Sequence, residues 1–174
     1  AWAALPPFRQ ADWARLALVR RHGGVWLDAS CLLTAPLDWL LDRQRQSGAD
    51  CVGYYLAGYT RDARHPVMEN WAFAAPAGSA FIADWHDEVT RALDLPNEPA
   101  YLDELTDPAE RSAVLQAIYG PEYLLCHVAG VRVMRRGGYR IDLEQAEQAA
   151  YRLHIAAGWR RWRLLPKLAL WPAQ

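Results

Sequence analysis

The chain has 174 residues, 52% of them hydrophobic and 22% charged, enough for one domain with a sizeable core and too few for two. Its net charge of −1 supplies no global field, so nucleic acid is not an expected partner. No apolar run approaches the ~18 residues of a membrane-spanning helix.

Residues 1–8, with Pro6-Pro7, read as an extended lead-in. Apolar spacing then predicts a helix over 9–22, stopped at Gly23, followed by a short buried strand at Val25-Trp26-Leu27 that ends on Asp28. A further extended piece is expected at 31–34, a helix over 37–46 opened by Pro36, and a strand over 50–56. A polar loop over 58–67 leads to a strand at 71–75, and Ser79 caps a helix over 80–93 whose Phe81, Ile82, Trp85, Val89 and Leu93 keep helical spacing. Pro96 and Pro99 break the chain, after which helices are expected over 108–118 and 120–128. Short strands at 131–134 and 139–141 would flank Gly137-Gly138 as a hairpin, and a helix would follow over 144–154. Strands alternating with helices on short links predict an α/β fold.

Cysteines are odd in number and far apart (Cys31, Cys51, Cys126), with no spacing suited to zinc, and read as reduced thiols of a cytosolic protein. The nine tryptophans fit core packing, and their excess also suits a carbohydrate partner, since sugar rings pack on flat aromatic surfaces.

The chemistry gathers between residues 11 and 38, ADWARLALVRRHGGVWLDASCLLTAPLD. Asp12 and Arg15, three apart on a helix, share a face. They can pair with each other on the surface, or project to the end of the neighbouring strand, where Arg15 would meet an anion and Asp12 a sugar hydroxyl. Asp28 follows three apolar residues, so a carboxylate arrives at the carboxyl end of a buried strand, where α/β sheets bind ligands. A carboxylate there can hold a divalent cation that also grips a diphosphate, or can simply cap a turn.

In combination these residues resemble the central motif of a glycosyltransferase group that includes DxD-motif sugar-binding transferases and bacterial capsular polysaccharide synthesis proteins. Ala11, Asp12, Arg15, Gly23, Gly24, Trp26, Asp28, Pro36, Leu37 and Asp38 match its pattern. The resemblance continues through Glu69-Asn70-Trp71, Gly120-Pro121, and His154 with Gly158-Trp159. It implies a GT-A-like fold, a mixed sheet flanked by helices, and a hexosyltransferase-type enzyme. Such an enzyme moves a sugar from a nucleotide-sugar donor to a hydroxyl of a saccharide or lipid-linked saccharide acceptor, with Mn²⁺ or Mg²⁺ as cofactor and with retaining relatives. On that basis Asp28, Glu69 and Asn70 are the catalytic candidates. Asp12, Arg15, Gly24, Trp26, Asn70 and Trp71 are the substrate-binding candidates, and Asp28, Ser30 and His154 the metal candidates.

Two departures stand out. Ser30 replaces the second carboxylate of the metal motif, and a hydroxyl is a poorer ligand for a hard cation. The group's earlier strand-helix-strand portion, which houses the nucleotide, has no counterpart before Ala11, so residues 1–157 are expected to form an N-terminally incomplete transferase domain. Residues 158–174 form a basic, Trp-rich tail that can lie on an anionic membrane surface or dock on its own domain. The expected location is cytoplasmic, with peripheral contact at the inner face of the membrane. The alternative to an enzyme is a non-catalytic carbohydrate-binding or scaffold remnant of one.

Overall fold

Pro6 and Pro7 start the first helix, α1 (Pro7–His22), where a fixed φ and a missing N–H cost nothing. Arg20, Arg21 and His22 in its last turn complement the helix dipole. Gly23 then takes φ 64° while its N–H still bonds to Val19 O at 2.8 Å. A Cβ at this position would lie 2.4 Å from the backbone nitrogen of Ala77, so only glycine fits. The reversal leads directly into β1 (Gly24–Leu27).

The structure, a computed structural model, describes residues 5–33, 35–160 and 162–163. After β1 come α2 (Asp38–Ser47), β2 (Cys51–Tyr55), β3 (Met68–Ala75) and α3 (Ala80–Leu93). They are followed by α4 (Glu98–Asp103), α5 (Pro108–Leu115), α6 (Leu125–Met134), β4 (Ile141–Gln145) and α7 (Arg152–Ala156). The strands form one open mixed sheet in the order β1-β3-β2-β4, with β3 antiparallel to both neighbours and β4 parallel to β2.

Period-two alternation sorts the side chains into two layers. Cys51, Trp26, Phe73, Ala75, Ile141 and Leu143 face one side with the buried surfaces of α1, α3 and α6, and Trp85 fills the centre of that core. Val25, Val52 and Ala74 face the other side and pack on Leu40 and Leu41 of α2. The α/β expectation and the helix-flanked mixed sheet therefore hold. Ser79 caps α3 as its sequence implies, accepting from Ile82 N at 3.2 Å while its hydroxyl donates to Asp50 O at 2.8 Å.

Several expected elements change. Residues 131–134 are not a strand but the end of α6, which is buried at every position except Arg132. The β-branched Val131 and Val133 suggest a strand locally, and packing between α3, α5 and β3 overrides that preference. Gly137 and Gly138 consequently turn a helix into a strand instead of joining a hairpin. Residues 144 and 145 belong to β4, because Ile141 and Leu143 alternate inward beside β2; turns and the short α7 replace the long helix expected there. Cys31-Leu32-Leu33 follow a turn closed by Cys31 N–H on Asp28 O at 2.9 Å rather than extending, and Thr34 lies outside the described residues. Pro99 opens α4 instead of breaking the chain, with Asn97 accepting from Ala100 N at 2.9 Å. Among the described residues no helix is long and apolar enough to cross a membrane. Most of the tail expected over 158–174 falls outside them.

Replacing Gly23 with alanine is expected to lower unfolding stability by about 2 kcal/mol or more, from positive φ together with the clash on Ala77. Urea denaturation measures it, and a variant as stable as the parent would contradict the close approach.

Candidate functional site

Because β1, β2 and β4 run parallel, their carboxyl ends share one edge of the sheet with the start of β3. Asp28 continues the pairing there, its N–H donating to Trp71 O at 2.8 Å. The reversal at Gly23 brings α1 back along the sheet, so that Arg9, Asp12 and Arg15 on its first half meet the same edge.

Beside Gly53 the register of β3 against β2 jumps, from Gly53 opposite Phe73 to Tyr55 opposite Met68. The extra β3 residues form a bulge that includes Glu69, Asn70 and Trp71. In a regular strand Glu69 and Asn70 would face opposite sides; here both are buried and both make polar contacts. Gly53 permits the irregularity, since a Cβ there would lie 3.1 Å from both Ala72 O and Phe73 Cβ.

Arg15 is the hub of one cluster. It is 5% exposed and donates through Nη1 to Asn70 O at 2.7 Å and through Nε to Ala11 O at 3.2 Å. Its Nη2 lies 3.5 Å from Asp12 Oδ1 and 3.5 Å from Asp28 Oδ1. The guanidinium carbon stands 5.7 Å from the Trp26 ring centroid, and that indole donates to Asp28 Oδ1 at 2.7 Å. Asn70 Nδ2 donates to Asp12 Oδ1 at 2.9 Å, and Arg9 Nη1 to Asp12 Oδ2 at 3.2 Å. Burial pushes the Asp12 carboxyl above its ordinary value, and Arg15, Arg9 and His127 counter that push without cancelling it.

Glu69 is the hub of the second cluster. His127 Nε2 sits 3.2 Å from Glu69 Oε2, and the Tyr151 hydroxyl donates to Oε1 at 2.7 Å. The other ring nitrogen of His127 is buried and has no hydrogen-bond partner among the described residues. Burial pushes Glu69 up, but the His127 contact and the Tyr151 hydrogen bond outweigh it and leave the carboxyl below its ordinary 4.5. Trp71 lies between two rings, stacked on Tyr54 at 5.3 Å and tilted against Tyr151 at 5.5 Å.

The sequence-assigned residues thus divide. Asp12, Arg15, Trp26, Asp28 and Asn70 come together around one guanidinium. Glu69 and Trp71 adjoin them through the bulge but turn toward Tyr151. Gly24 lies at the opposite end of β1 from Asp28, paired with Ala75. Ser30 is exposed in the turn after β1. His154 packs on Tyr151 at 5.8 Å and Trp159 at 5.3 Å, and no hydrogen bond links it to Asp28 among the described residues.

Among the described residues no three His, Cys, Asp or Glu side chains converge as a metal cage. Asp28 offers a single carboxylate at this edge, its Oδ1 accepting from the Trp26 indole at 2.7 Å and lying 3.5 Å from Arg15 Nη2, and the Ser30 hydroxyl follows two residues on. A groove of about 510 Å³ beside β4, lined by Tyr55, His65, Tyr139 and Ile141 among others, does not include this cluster.

Three participants escaped the sequence reading. Arg9 carried a usable signal, a basic residue three before Asp12 at a helix start. His127 was a lone polar residue in the run Leu125-Cys126-His127-Val128-Ala129. Tyr151 had no local signal. Comparison with known proteins adds no identity: no family model, no curated protein and no solved structure matches the chain.

Because Glu69 titrates below its ordinary value in the fold, it stabilises the protein above about pH 4.5, and that contribution disappears as the pH falls through the folded value. The stability gap between the parent and Glu69→Gln should therefore hold above about pH 4.5 and narrow as the pH falls below it. Stability profiles that run parallel over that range would remove the ion-pair description.

Proposed function

We propose that the chain is a glycosyltransferase with a GT-A-like fold, moving a hexose from a nucleotide-sugar donor to a hydroxyl of a surface or capsular polysaccharide precursor. The observation that carries this reading is the buried Arg15 guanidinium held between Asp12 and Asp28 at the carboxyl ends of parallel strands. It accords with the motif resemblance of residues 11–38, which implies donor-sugar and phosphate contacts for Asp12 and Arg15 and the first carboxylate of the metal motif for Asp28.

The chemistry asks for a charge-stabilised leaving group and a positioned sugar. The acceptor oxygen bonds to the anomeric carbon as that carbon's bond to the diphosphate breaks. The electron pair departs with the diphosphate, and the hydroxyl proton passes to the oxygen that leaves. Arg15 faces the charge that develops on the diphosphate, as a fixed donor in a site shielded from water. Asp12 and Asn70, already bonded to each other, orient the donor sugar through its hydroxyls. Asp28 and Ser30 would hold a Mn²⁺ or Mg²⁺, which when bound supplies further neutralisation of the phosphate oxygens. Glu69 is engaged on both oxygens and is 5% exposed, which favours a positioning role over direct proton transfer.

Thermal unfolding with UDP, GDP or CMP plus Mn²⁺ tests the reading. At least one nucleotide should raise the Tm, by roughly 2–4 °C for each kcal/mol of binding stabilisation. Asp28→Asn should abolish the part that depends on Mn²⁺, and Arg15→Lys should weaken the whole response. A folded sample that responds to none of them would transfer the chain to the alternative, a carbohydrate-binding domain without catalysis.

A further inference from the structure

Arg9 is 1% exposed, yet its bonds reach outward. One nitrogen, Nη1, serves Asp12 Oδ2 at 3.2 Å and Tyr123 O at 3.1 Å, so the donor-side carboxylate and the turn before α6 hang on the same atom. Nη2 donates to Glu122 O, and Nε lies 3.3 Å from Glu98 Oε1. The guanidinium carbon also stands 4.8 Å from the Phe8 ring centroid. Above this anchor two aromatic rings face solvent, Phe8 at 42% exposure and Tyr123 at 68%. Their centroids are 5.5 Å apart with planes tilted by 40°. Neither ring is needed to fill the core, and the turn that carries Tyr123 is closed by Leu124 N–H on Gly120 O at 3.0 Å.

We propose that Phe8 and Tyr123 form a stacking platform for one neutral pyranose ring of the acceptor, a role that rests on the transferase reading and extends it to the second substrate. A sugar presents a C–H face to an aromatic ring and hydroxyls to carboxylates, and both chemistries meet here within the reach of one guanidinium. Local charge separates this occupant from others. Against the cation Arg9 stand Glu98, 3.3 Å from its Nε, and the exposed Glu122 next to Tyr123 in the chain, an acidic balance that disfavours anionic lipid. Two rings alone are far too small a patch for a stable protein partner. Arg9 is a positioning residue that keeps the platform in register with Asp12.

Saturation-transfer NMR on the full chain without nucleotide tests the platform, using maltopentaose, cellopentaose, mannopentaose and chitopentaose as probes. At least one should bind, with saturation concentrated on the C–H protons of one ring. Tyr123→Ala should weaken that binding about tenfold, and Tyr123→Phe should retain it, because stacking rather than the hydroxyl carries the contact. Phe8→Ala provides a second, independent truncation with the same expected direction. Binding to none of the pentasaccharides, an unchanged affinity in both alanine variants, or capture by phosphatidylserine vesicles that those variants abolish would overturn the proposal. The nucleotide experiment reads the donor side separately, so loss of the acceptor platform and loss of the transferase reading remain distinguishable.

Discussion

The Arg15 guanidinium is the contact on which the rest of the edge depends. A cation buried this deeply survives only with its charge and N–H groups satisfied, and the partners come from three separate elements: Asp12 on α1, the Asn70 carbonyl on β3, and Asp28 just past β1. Removing one partner of such a pair commonly costs about 3–5 kcal/mol, because the remaining charge is left uncompensated. Arginine suits the position better than lysine would. Its planar fork addresses a carbonyl and two carboxylates at once, and its flat face covers Trp26. The same arrangement therefore locks α1 onto the sheet and fixes the positions of two carboxylates and a guanidinium at its edge.

The bulge in β3 lets one short segment serve two clusters. Asn70 turns to Asp12 and Arg15, while Glu69, its neighbour in the chain, turns to His127 and Tyr151. α6 and the segment before α7 thus brace the residue beside the one that touches α1. A displacement of α6 would reach the carboxylate edge through His127, Glu69 and the one peptide bond to Asn70.

Much of this was legible in the residues. The three-residue spacing of Asp12 and Arg15 put them on one face, and the short apolar run before Asp28 placed that carboxylate at a strand end. Ser79 marked the start of α3. What stayed hidden was of one kind: contacts made by distant segments. Val131 and Val133 look β-prone alone, and only the surrounding helices and β3 make 125–134 a buried helix. A register jump beside Gly53 leaves no period to read, so nothing local showed that Glu69 and Asn70 would both be buried. Tyr151 reaches Glu69 across 82 residues, a separation no window of sequence spans.

Two buried carboxylates on the same side of the sheet, Glu88 and Asp12, are held in different ways. Glu88 on α3 accepts from Arg91 at 2.6 Å, from Tyr101 at 2.8 Å and from Arg132 at 3.3 Å, and also from Arg136. Burial raises its carboxyl, but those donors prevail and leave it below the ordinary value. At Asp12 the balance reverses. Two arginines and an asparagine contact it, and burial still dominates. Asp12 is thus answered differently from Glu88: its neighbours do not offset the cost of burying its charge. Its place beside Arg15 and Asp28 is what the transferase proposed above asks of its donor site, a carboxylate for sugar hydroxyls next to a cation for phosphate.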